Sequence, residues 1–465
     1  MINHRDITAR VTEWGLREDI IEKDYVLGWL LAGISEHPRL RETWVFKGGT
    51  CLKKCYFETY RFSEDLDFTV INGGPEAPED LLAIFQEVGN WVYQESGIEF
   101  PKALMRFDSY LNPRGRQCIQ GRISYRGPIE RRGDLPRVKL DVTSDEVLVR
   151  APVRQPIGNS YPDVFPGDGH VLAYDEVEVF AEKVRALAER LRPRDLYDVV
   201  NLFWRPSKPD PHDLQQALQE KCRFKGIEVP TMEAMDSAPG RGELEAEWAN
   251  MLAHQIADLP PLDHFWQELP AVFAWLAGEE VSEELPLSPV DPREQVDWVT
   301  PPRIAMWGVG VPLERIRFAG TNRLCVELAY QGGTRVIEPY SLRRTQDGNL
   351  VLHAIRVDTR EHRSYRVDRI QSVRVTNRPF EPTYEVEFSS TGPISAPLAV
   401  SGVRSPSHRY RTTRRSSGTI YVVECLMCGK KFHRTSSGTS LRPHKGKGGW
   451  PCSGRRGYIV DTRYS

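Results

Sequence analysis

Phe46-Lys47-Gly48-Gly49-Thr50, followed further on by Phe62-Ser63-Glu64-Asp65-Leu66-Asp67-Phe68, is the stretch that decides how the chain is read. Trp44 to Lys47 reads as a short strand that runs into a glycine turn and then a helix start with Leu52 and Cys55. Asp65 to Val70 alternates polar and apolar residues, the pattern of a half-buried strand. Residues i and i+2 of a strand point to one face, so Asp65 and Asp67 project together. Adjacent carboxylates repel unless positive charge lies between them, and two Mg²⁺ ions roughly 3.5–4 Å apart would supply it. Magnesium binds through a few carboxylates plus substrate phosphates. Glycines let a backbone come close to a ligand, and free N–H groups at a helix start favour a phosphate. A Gly-Gly turn alone is common, and Asp-x-Asp alone is often a solvated strand edge. Separated by 15 residues from Thr50 to Asp65, and flanked by apolar strands, the two together describe nucleotidyl transfer.

A third carboxylate is needed to hold a metal and take up the attacking proton. Arg137-Val138-Lys139-Leu140-Asp141-Val142 reads as a strand that offers Asp141; Asp134, Asp145 and Glu146 are rivals in loop-like surroundings. Residues 1–40 and 79–96 read as helical, and Gln117 to Tyr125 as a strand. Glu178 to Phe203 is helical with a break or a new first turn at Pro193, and residues 210–278 are helical with aromatic anchors.

These motifs carry a resemblance. Gly-Gly-Thr followed by Asp-Leu-Asp, with a later strand carboxylate, resembles the polymerase-β-like nucleotidyltransferases. Ile21-Glu22-Lys23-Asp24-Tyr25, Arg61 to Phe68, Glu182 to Leu187 and Arg194-Asp195-Leu196-Tyr197-Asp198 are more specific. Together they look like the AbiEii/AbiGii toxin family of type IV toxin–antitoxin and phage-defence systems, over about residues 15–275. The resemblance implies that Gly48, Gly49, Thr50 and Ser63 hold the nucleotide. It implies that Asp65, Asp67 and Asp141 bind Mg²⁺ or Mn²⁺, and that Lys183 and Asp198 match downstream catalytic motifs. An ammonium at Lys183 would stabilise charge on a leaving pyrophosphate; the bland reading pairs it with Glu182 or Glu189. Arg194 pairs naturally with Asp198 at i,i+4, so a structural salt bridge is as good a reading of that motif as catalysis. Related toxins add nucleotides to tRNA ends, so an NTP substrate, an RNA acceptor and a cognate antitoxin are implied.

After Glu279 the chain turns acidic and Pro-rich (Pro286, Pro289, Pro292, Pro301, Pro302), the best linker in the sequence. Residues 314–376 then read as strands: Leu324 to Tyr330, Thr334 to Pro339, Leu350 to Val357 and Arg363 to Asp368. Apolar residues alternating with arginines on successive strands give a small sheet with one basic face. This resembles the WYL domain, an Sm-like β module that senses nucleotides or nucleic acid, with Leu350-Val351-Leu352 in place of the literal motif. Tyr340, Arg343, Arg356, Arg366 and Arg369 fit its ligand-facing pattern.

The tail carries Cys425-x2-Cys428, then His444 and Cys452. Cys3His is a tetrahedral zinc set; His433 is the rival fourth ligand. With no open position the zinc is structural, and it supplies folding energy to a segment too small to bury a core. The other cysteines, at 51, 55, 118, 222 and 325, are scattered and read as buried packing.

The composition of all 465 residues, 40% hydrophobic with net charge −2, excludes a disordered chain, a collagen and a disulfide-rich peptide. The near-zero charge hides a split. Ser401 to Ser465 carry 14 Lys+Arg against 2 Asp+Glu, a net +12, which leaves −14 on residues 1–400. That suits a nucleic-acid contact or a tail lying against an acidic body. The N-terminus lacks a signal-peptide core, and the longest apolar run, Val26 to Ile34, is too short to span a bilayer, so a soluble cytoplasmic protein is expected. The expected architecture is an α/β (α+β) polymerase-β-like nucleotidyltransferase at 1–279, with its core at about 15–205 and a helical part at 206–279. A linker at 280–313, a small all-β WYL/Sm-like module at 314–400 and a basic zinc-ribbon-like tail at 401–465 follow. The competing readings are a non-enzymatic DNA- or RNA-binding regulator on a degenerate scaffold, and a transferase that nucleotidylates a protein.

Overall fold

The computed structural model describes residues 2–57, 61–131, 133–167, 169–205, 208–279, 285–295, 313–389, 419–425, 427–434, 439–445 and 451–464. They divide into two units, Met1–Pro397 and Leu398–Ser465. No helix among the described residues is long and apolar enough to cross a membrane.

The first unit opens with α1 (His4–Trp14) and α2 (Glu18–Glu36), then β1 (Trp44–Lys47) and α3 (Gly48–Cys51), which continues as a widened turn over Leu52–Tyr56. Next come β2 (Asp65–Val70), α4 (Pro78–Ser96), β3 (Met105–Leu111), β4 (Gln117–Ser124), β5 (Arg137–Thr143), β6 (Val153–Pro156) and β7 (His170–Ala173). These strands form one mixed sheet in the order β3-β4-β5-β2-β1-β7-β6. The apolar residues of β2 and β5 (Leu66, Phe68, Val138, Leu140, Val142) all enter the core, so the alternating partners Asp65, Asp67, Lys139 and Asp141 take the other face.

α2 is buried almost throughout, so its polar residues must be paired. Glu22 accepts the Ile129 N–H at 2.8 Å. Asp24, 2% exposed, takes Lys54 Nζ at 2.8 Å and the Tyr161 hydroxyl at 3.0 Å. Lys23 reaches Glu64 at 2.8 Å, and Tyr25 donates to Asp163 at 2.6 Å. The Glu-Lys-Asp-Tyr motif is therefore a row of ties from α2 to the widened turn and to the segment entering β2.

The helical part consists of α5 (Glu176–Arg190), α6 (Pro193–Phe203), α7 (Pro211–Lys225), α8 (Met232–Asp236), α9 (Arg241–Leu252), α10 (Leu262–Trp266) and α11 (Leu269–Leu276). Pro193 opens α6 at its first position, where its missing N–H costs nothing. Of the two readings of Pro193, a break or a new first turn, the structure shows the new first turn.

Residues 314–376 do not begin as strand. α12 (Leu313–Thr321) comes first, then β8 (Leu324–Tyr330), β9 (Gly333–Arg344), β10 (Leu350–Arg356), β11 (His362–Arg366) and β12 (Ile370–Pro379), in the sheet order β11-β10-β9-β8-β12. β9 runs past Pro339 to Arg344, and a bulge opposite His353/Ala354 absorbs the extra length. Of the Pro-rich linker, residues 280–284 and 296–312 lie outside those described. Residues 285–295 are not a free spacer. Gln295 N–H donates to Arg344 O at 2.8 Å, Glu385 N–H to Pro286 O at 2.9 Å, and Gln346 N–H to Arg293 O at 2.7 Å.

The second unit holds β13 (Thr419–Cys425), β14 (Lys431–Arg434), β15 (His444–Lys445), β16 (Pro451–Cys452) and β17 (Gly457–Tyr464), with sheet orders β14-β13-β17 and β15-β16. The Gly/Ser/Arg stretch before it lies mostly outside the described residues.

The Asp24–Lys54 pair fastens α2 to the turn that follows the glycines. Removing one partner strands a buried charge, so Asp24→Ala is expected to lower the unfolding free energy by ~3–5 kcal/mol in urea titration.

Candidate active site and metal centre

The strand register brings the acidic side chains together. β2 pairs with β5 in parallel, Asp65 opposite Lys139 and Asp67 opposite Asp141. β1 places Lys47 opposite Asp67, and β4 places Gln120 opposite Asp141. Lys47, Asp67, Asp141 and Gln120 thus form one row across four strands. Among the described residues neither Asp65 nor Asp67 has a side-chain hydrogen-bond or ion-pair partner. Asp141 takes Lys139 Nζ at 2.9 Å and the Gln120 amide at 3.4 Å.

Burial, followed by the charge of Asp141, pushes the Asp67 carboxyl up to about 6, although Lys47 pulls the other way. Burial raises Asp65 too, against Lys139, Lys23 and Arg194. Two unpartnered carboxylates that hold their protons unusually well are a donor set short of positive charge, and hard divalent cations fit it. The rivals for the third position are engaged elsewhere. Asp145 takes Arg114 at 2.9 Å and Asn112 at 2.7 Å, and Glu146 takes Lys225 at 3.0 Å and Lys47 at 3.5 Å.

The glycine turn sits against this row. Gly48 has φ +79°, which L side chains rarely adopt, and a Cβ there would lie 2.4 Å from Asp67 Oδ2. A Cβ on Gly49 would lie 2.4 Å from Arg61 Nη2. The Thr50 hydroxyl donates to the Asp65 carbonyl, fixing the turn to the start of β2. Ser63 lies partly buried in the segment just before β2.

Behind the turn lies a buried ionic chain. Arg61 donates to both Asp198 oxygens, at 2.7 and 2.8 Å, and to the Gln255 side chain at 3.0 Å. Lys183 reaches Asp198 at 2.7 Å and Asp195 at 3.4 Å, and Arg190 grips Asp195 at 2.7 and 2.9 Å. Burial opposes the Asp198 charge, but Arg61 and Lys183 hold its carboxyl far below the usual range. Burial also works against the Lys183 ammonium, and Asp198 and Asp195 overcome it. Lys183 therefore pairs with α6, not with Glu182 or Glu189. The i,i+4 pair of Arg194 with Asp198 is replaced by Arg61 and Lys183, and Arg194 Nε is buried with no partner among the described residues. Arg61 is the residue of this ionic chain that sequence reasoning passed over. It lies inside a quoted motif, but its partner is 137 positions away.

The five arginine and tyrosine positions of the β module do not share one face. Tyr340, fully buried, belongs to a second small core with Cys325, Ile355 and Phe380, and its hydroxyl meets Glu338 at 3.2 Å. Arg343 is held by Glu387 at 2.6 Å, Glu294 at 3.4 Å and the Ser288 carbonyl at 3.0 Å. Arg356 pairs with Asp358, Arg366 with Asp368 at 2.7 Å, and Arg369 is exposed. Glu294 also meets the buried His353 at 2.7 Å, an element of this site that the strand pattern did not reveal.

In the tail, one ligand atom from each of Cys425, Cys428, His444 and Cys452 lies within 4.8 Å of all the others. The Cys425 and Cys452 sulfurs are 3.7 Å apart, and Cys428 Sγ is 3.3 Å from His444 Nε2. His444 Nδ1 faces the Arg442 carbonyl at 2.8 Å, which leaves Nε2 free for a metal. Against burial, the N–H groups of Cys428 and Met427 pull the Cys425 thiol down to about 6. A Cβ on Gly454 would lie 2.4 Å from Cys425 Sγ, so only glycine closes this wall. The donor set fits a tetrahedral Cys3His ion. The side chain of His433 lies outside those described.

Residues 29–277 match the family model described as nucleotidyl transferase AbiEii toxin, type IV TA system, and residues 312–375 match the WYL domain. Among solved structures, the chain is similar to MenT4, a nucleotidyltransferase toxin from Mycobacterium tuberculosis H37Rv. The identity is 17%, over 60% of this chain and 90% of that one, with a TM-score of 0.43. JHP933 from Helicobacter pylori is 15% identical, over 57% of this chain and 94% of that one, with a TM-score of 0.35. No curated protein matches the chain.

Ionised Asp67 destabilises the metal-free fold, because its carboxyl binds a proton more tightly folded than unfolded. The penalty is present in full above the folded value of about 6 and vanishes as pH falls toward the unfolded one. Asp67→Asn should therefore raise the stability of EDTA-treated protein by ~1–3 kcal/mol at pH 8 and leave it unchanged at pH 4, read by denaturant titration at both values.

Proposed function

Because the chain belongs to the AbiEii nucleotidyl transferase toxin family of type IV toxin–antitoxin systems, we propose that it transfers a nucleotide from an NTP to an RNA acceptor, tRNA in the first place. The observation that carries this reading is the row of Asp67 and Asp141 on paired strands, with Asp65 beside it, under a glycine turn. Asp65, Asp67 and Asp141 would hold Mg²⁺ or Mn²⁺. The bound ions would neutralise the carboxylates and the triphosphate and favour ionisation of the acceptor hydroxyl. The Gly48-Gly49-Thr50 backbone receives the triphosphate, with Ser63 at its edge. Lys183 and Asp198 act from behind the turn: their buried chain fixes Arg61, and Arg61 sets the position of Gly49. Arg194, half-buried without a partner for its Nε, supplies positive charge toward the phosphates.

A cognate antitoxin restrains the enzyme in the cytoplasm, in a phage-defence setting. The WYL domain senses nucleic acid or a nucleotide, with Arg369 and the paired Arg356 and Arg366 on offer. The Cys3His tail binds structural zinc and presents its basic surface to nucleic acid.

Two measurements test this. Purified protein with Mg²⁺, labelled NTPs and total tRNA should label the RNA, and Asp65→Ala/Asp67→Ala should lower the rate by at least about a thousandfold, ~4 kcal/mol of transition-state stabilisation. Label on both proteins alike, or on neither, would favour the regulator reading, and label on polypeptide the protein-modifying one. Metal analysis should find one zinc per chain, lost in Cys428→Ser; unchanged content would refute the assignment.

A further inference from the structure

Residues 285–295 of the proline-rich segment lie on the β module, and only two of these eleven residues are buried. Both are polar: Ser288 is 1% exposed and Glu294 5%. The large apolar residues face outward, Leu285 at 40%, Leu287 at 57% and Val290 at 53%. A segment that belonged to the core would do the reverse. Pro286, Pro289 and Pro292 have no N–H, so the segment cannot pair as a full strand. Among the described residues its backbone ties to the module are the Gln295 N–H on Arg344 O, the Gln346 N–H on Arg293 O, the Glu385 N–H on Pro286 O and a bridge from Glu294 to Thr345.

What the segment covers is the polar face of a sheet. The register sets Ser341 opposite His353 and His353 opposite Ser364. Two residues along, Arg343 stands opposite Val351 and Val351 opposite Arg366. The intervening Leu342, Leu352 and Tyr365 fill the core of the module. Apart from Val351, the two polar rows offer hydroxyls, an imidazole and two guanidiniums, and no carboxylate. The acid comes from outside these strands. Glu294 takes His353 Nε2 at 2.7 Å and Arg343 at 3.4 Å, and Glu387 takes Arg343 at 2.6 Å. Arg343 also donates to the carbonyls of Pro289 at 3.1 Å and Ser288 at 3.0 Å, and the Ser288 hydroxyl stands 3.2 Å from that of Ser341. His353 Nδ1 faces His362 Nε2 at 3.2 Å. A guanidinium beside an imidazole, each taking one oxygen of the same anion, is a donor set that suits a phosphate as well as a carboxylate.

We propose that residues 285–295 form a strap that shuts an anion site on this face, with Glu294 standing where a phosphate group of a nucleotide or of a nucleic acid binds. The inference rests on reading the β module as a sensor, and adds the site it senses with and the contact that holds that site closed. A phosphate that reaches Arg343 and His353 displaces Glu294, and the strap has no buried apolar residue to keep it in place. Glu387 stays on Arg343 Nη2, while Nη1, which meets Glu294 and the Pro289 carbonyl in the closed form, turns to the ligand. Ligand binding and strap release are one equilibrium, so the closed strap lowers the apparent affinity by the fraction of molecules that are open.

The test uses the full chain and reads hydrogen exchange at the Gln295 and Gln346 amides, which bond across the strap. Inorganic phosphate, AMP and a short single-stranded RNA are compared at one ionic strength, with potassium chloride as the reference. At least one phosphate probe should speed both amides by about tenfold. Inorganic phosphate sufficing marks a bare phosphate ligand, AMP acting where it does not marks a mononucleotide, and RNA acting alone marks a strand. Glu294→Gln removes the competing charge and should lower the probe concentration for half effect by about tenfold. Ser288→Cys/Ser341→Cys should lose the response when oxidised and regain it with dithiothreitol, oxidised wild type serving as control. Equal acceleration by potassium chloride would mean plain screening and overturn the proposal. So would a probe that moves the amides of Ser364 to Arg366 and leaves Gln295 and Gln346 unchanged, a result under which the sensing reading stands. No response anywhere in the β module would remove the sensing reading and the strap with it.

Discussion

A turn of two glycines is pinched between a carboxylate and a guanidinium, and the arrangement of the site follows from that pinch. Asp67 stands on one side and Arg61 on the other, each too close to admit a single methyl group. The carboxylate is fixed by the sheet register and the guanidinium by a buried ionic chain through Asp198 to Lys183, Asp195 and Arg190. Backbone N–H groups are thereby held next to the acidic row without any side chain in between. Charge explains why neither neighbour collapses onto the other. Arg61 is satisfied by Asp198 and Gln255, while Asp65 and Asp67 have no hydrogen-bond or ion-pair partner for their side chains among the described residues.

The first unit is knit tightly around this point. α2 is tied to the turn by Asp24–Lys54 and to the entry of β2 by Lys23–Glu64. From the other direction, His264 on α10 meets the Asn322 carbonyl at 2.7 Å, and Arg323 reaches Glu268 at 3.2 Å while lying 4.4 Å above Trp204. Tyr197, in contact with Asn322, is the neighbour of Asp198. The β module is thus seated on the helices that carry the ionic chain.

How much of this could be read from sequence depended on the range of the interaction. β1, the glycine turn and β2 announce themselves by two-residue alternation and by glycine, and Asp141 by its strand; the register then sets Asp141 opposite Asp67. Arg61 with Asp198 was not legible, because a partner 137 residues away leaves no local trace. Lys183 reads in sequence as a catalytic ammonium or as a helix charge paired with Glu182 or Glu189, and only the packing of α5 on α6 buries it against Asp198 and Asp195. α12 escaped notice because nine residues carry too few apolar positions for a clear helical period. β6 and β7 are four residues each, too short to alternate convincingly. Tyr340 was misplaced for another reason. Alternation assumes one open face, but β9 is covered on both, by the main core of the module and by the second one around Phe380.

Phe318 on α12 touches the apolar interior of the transferase and that of the β module at once. Such a shared residue makes the two halves poor candidates for separate life. Cutting the chain in the proline-rich segment would leave each fragment with a sticky scar, and the upstream one would lose the cap over Trp204 and His264. Gene fusions or deletions that exchange the β module would have to carry α12 along with it, so the seam for recombination lies before Leu313.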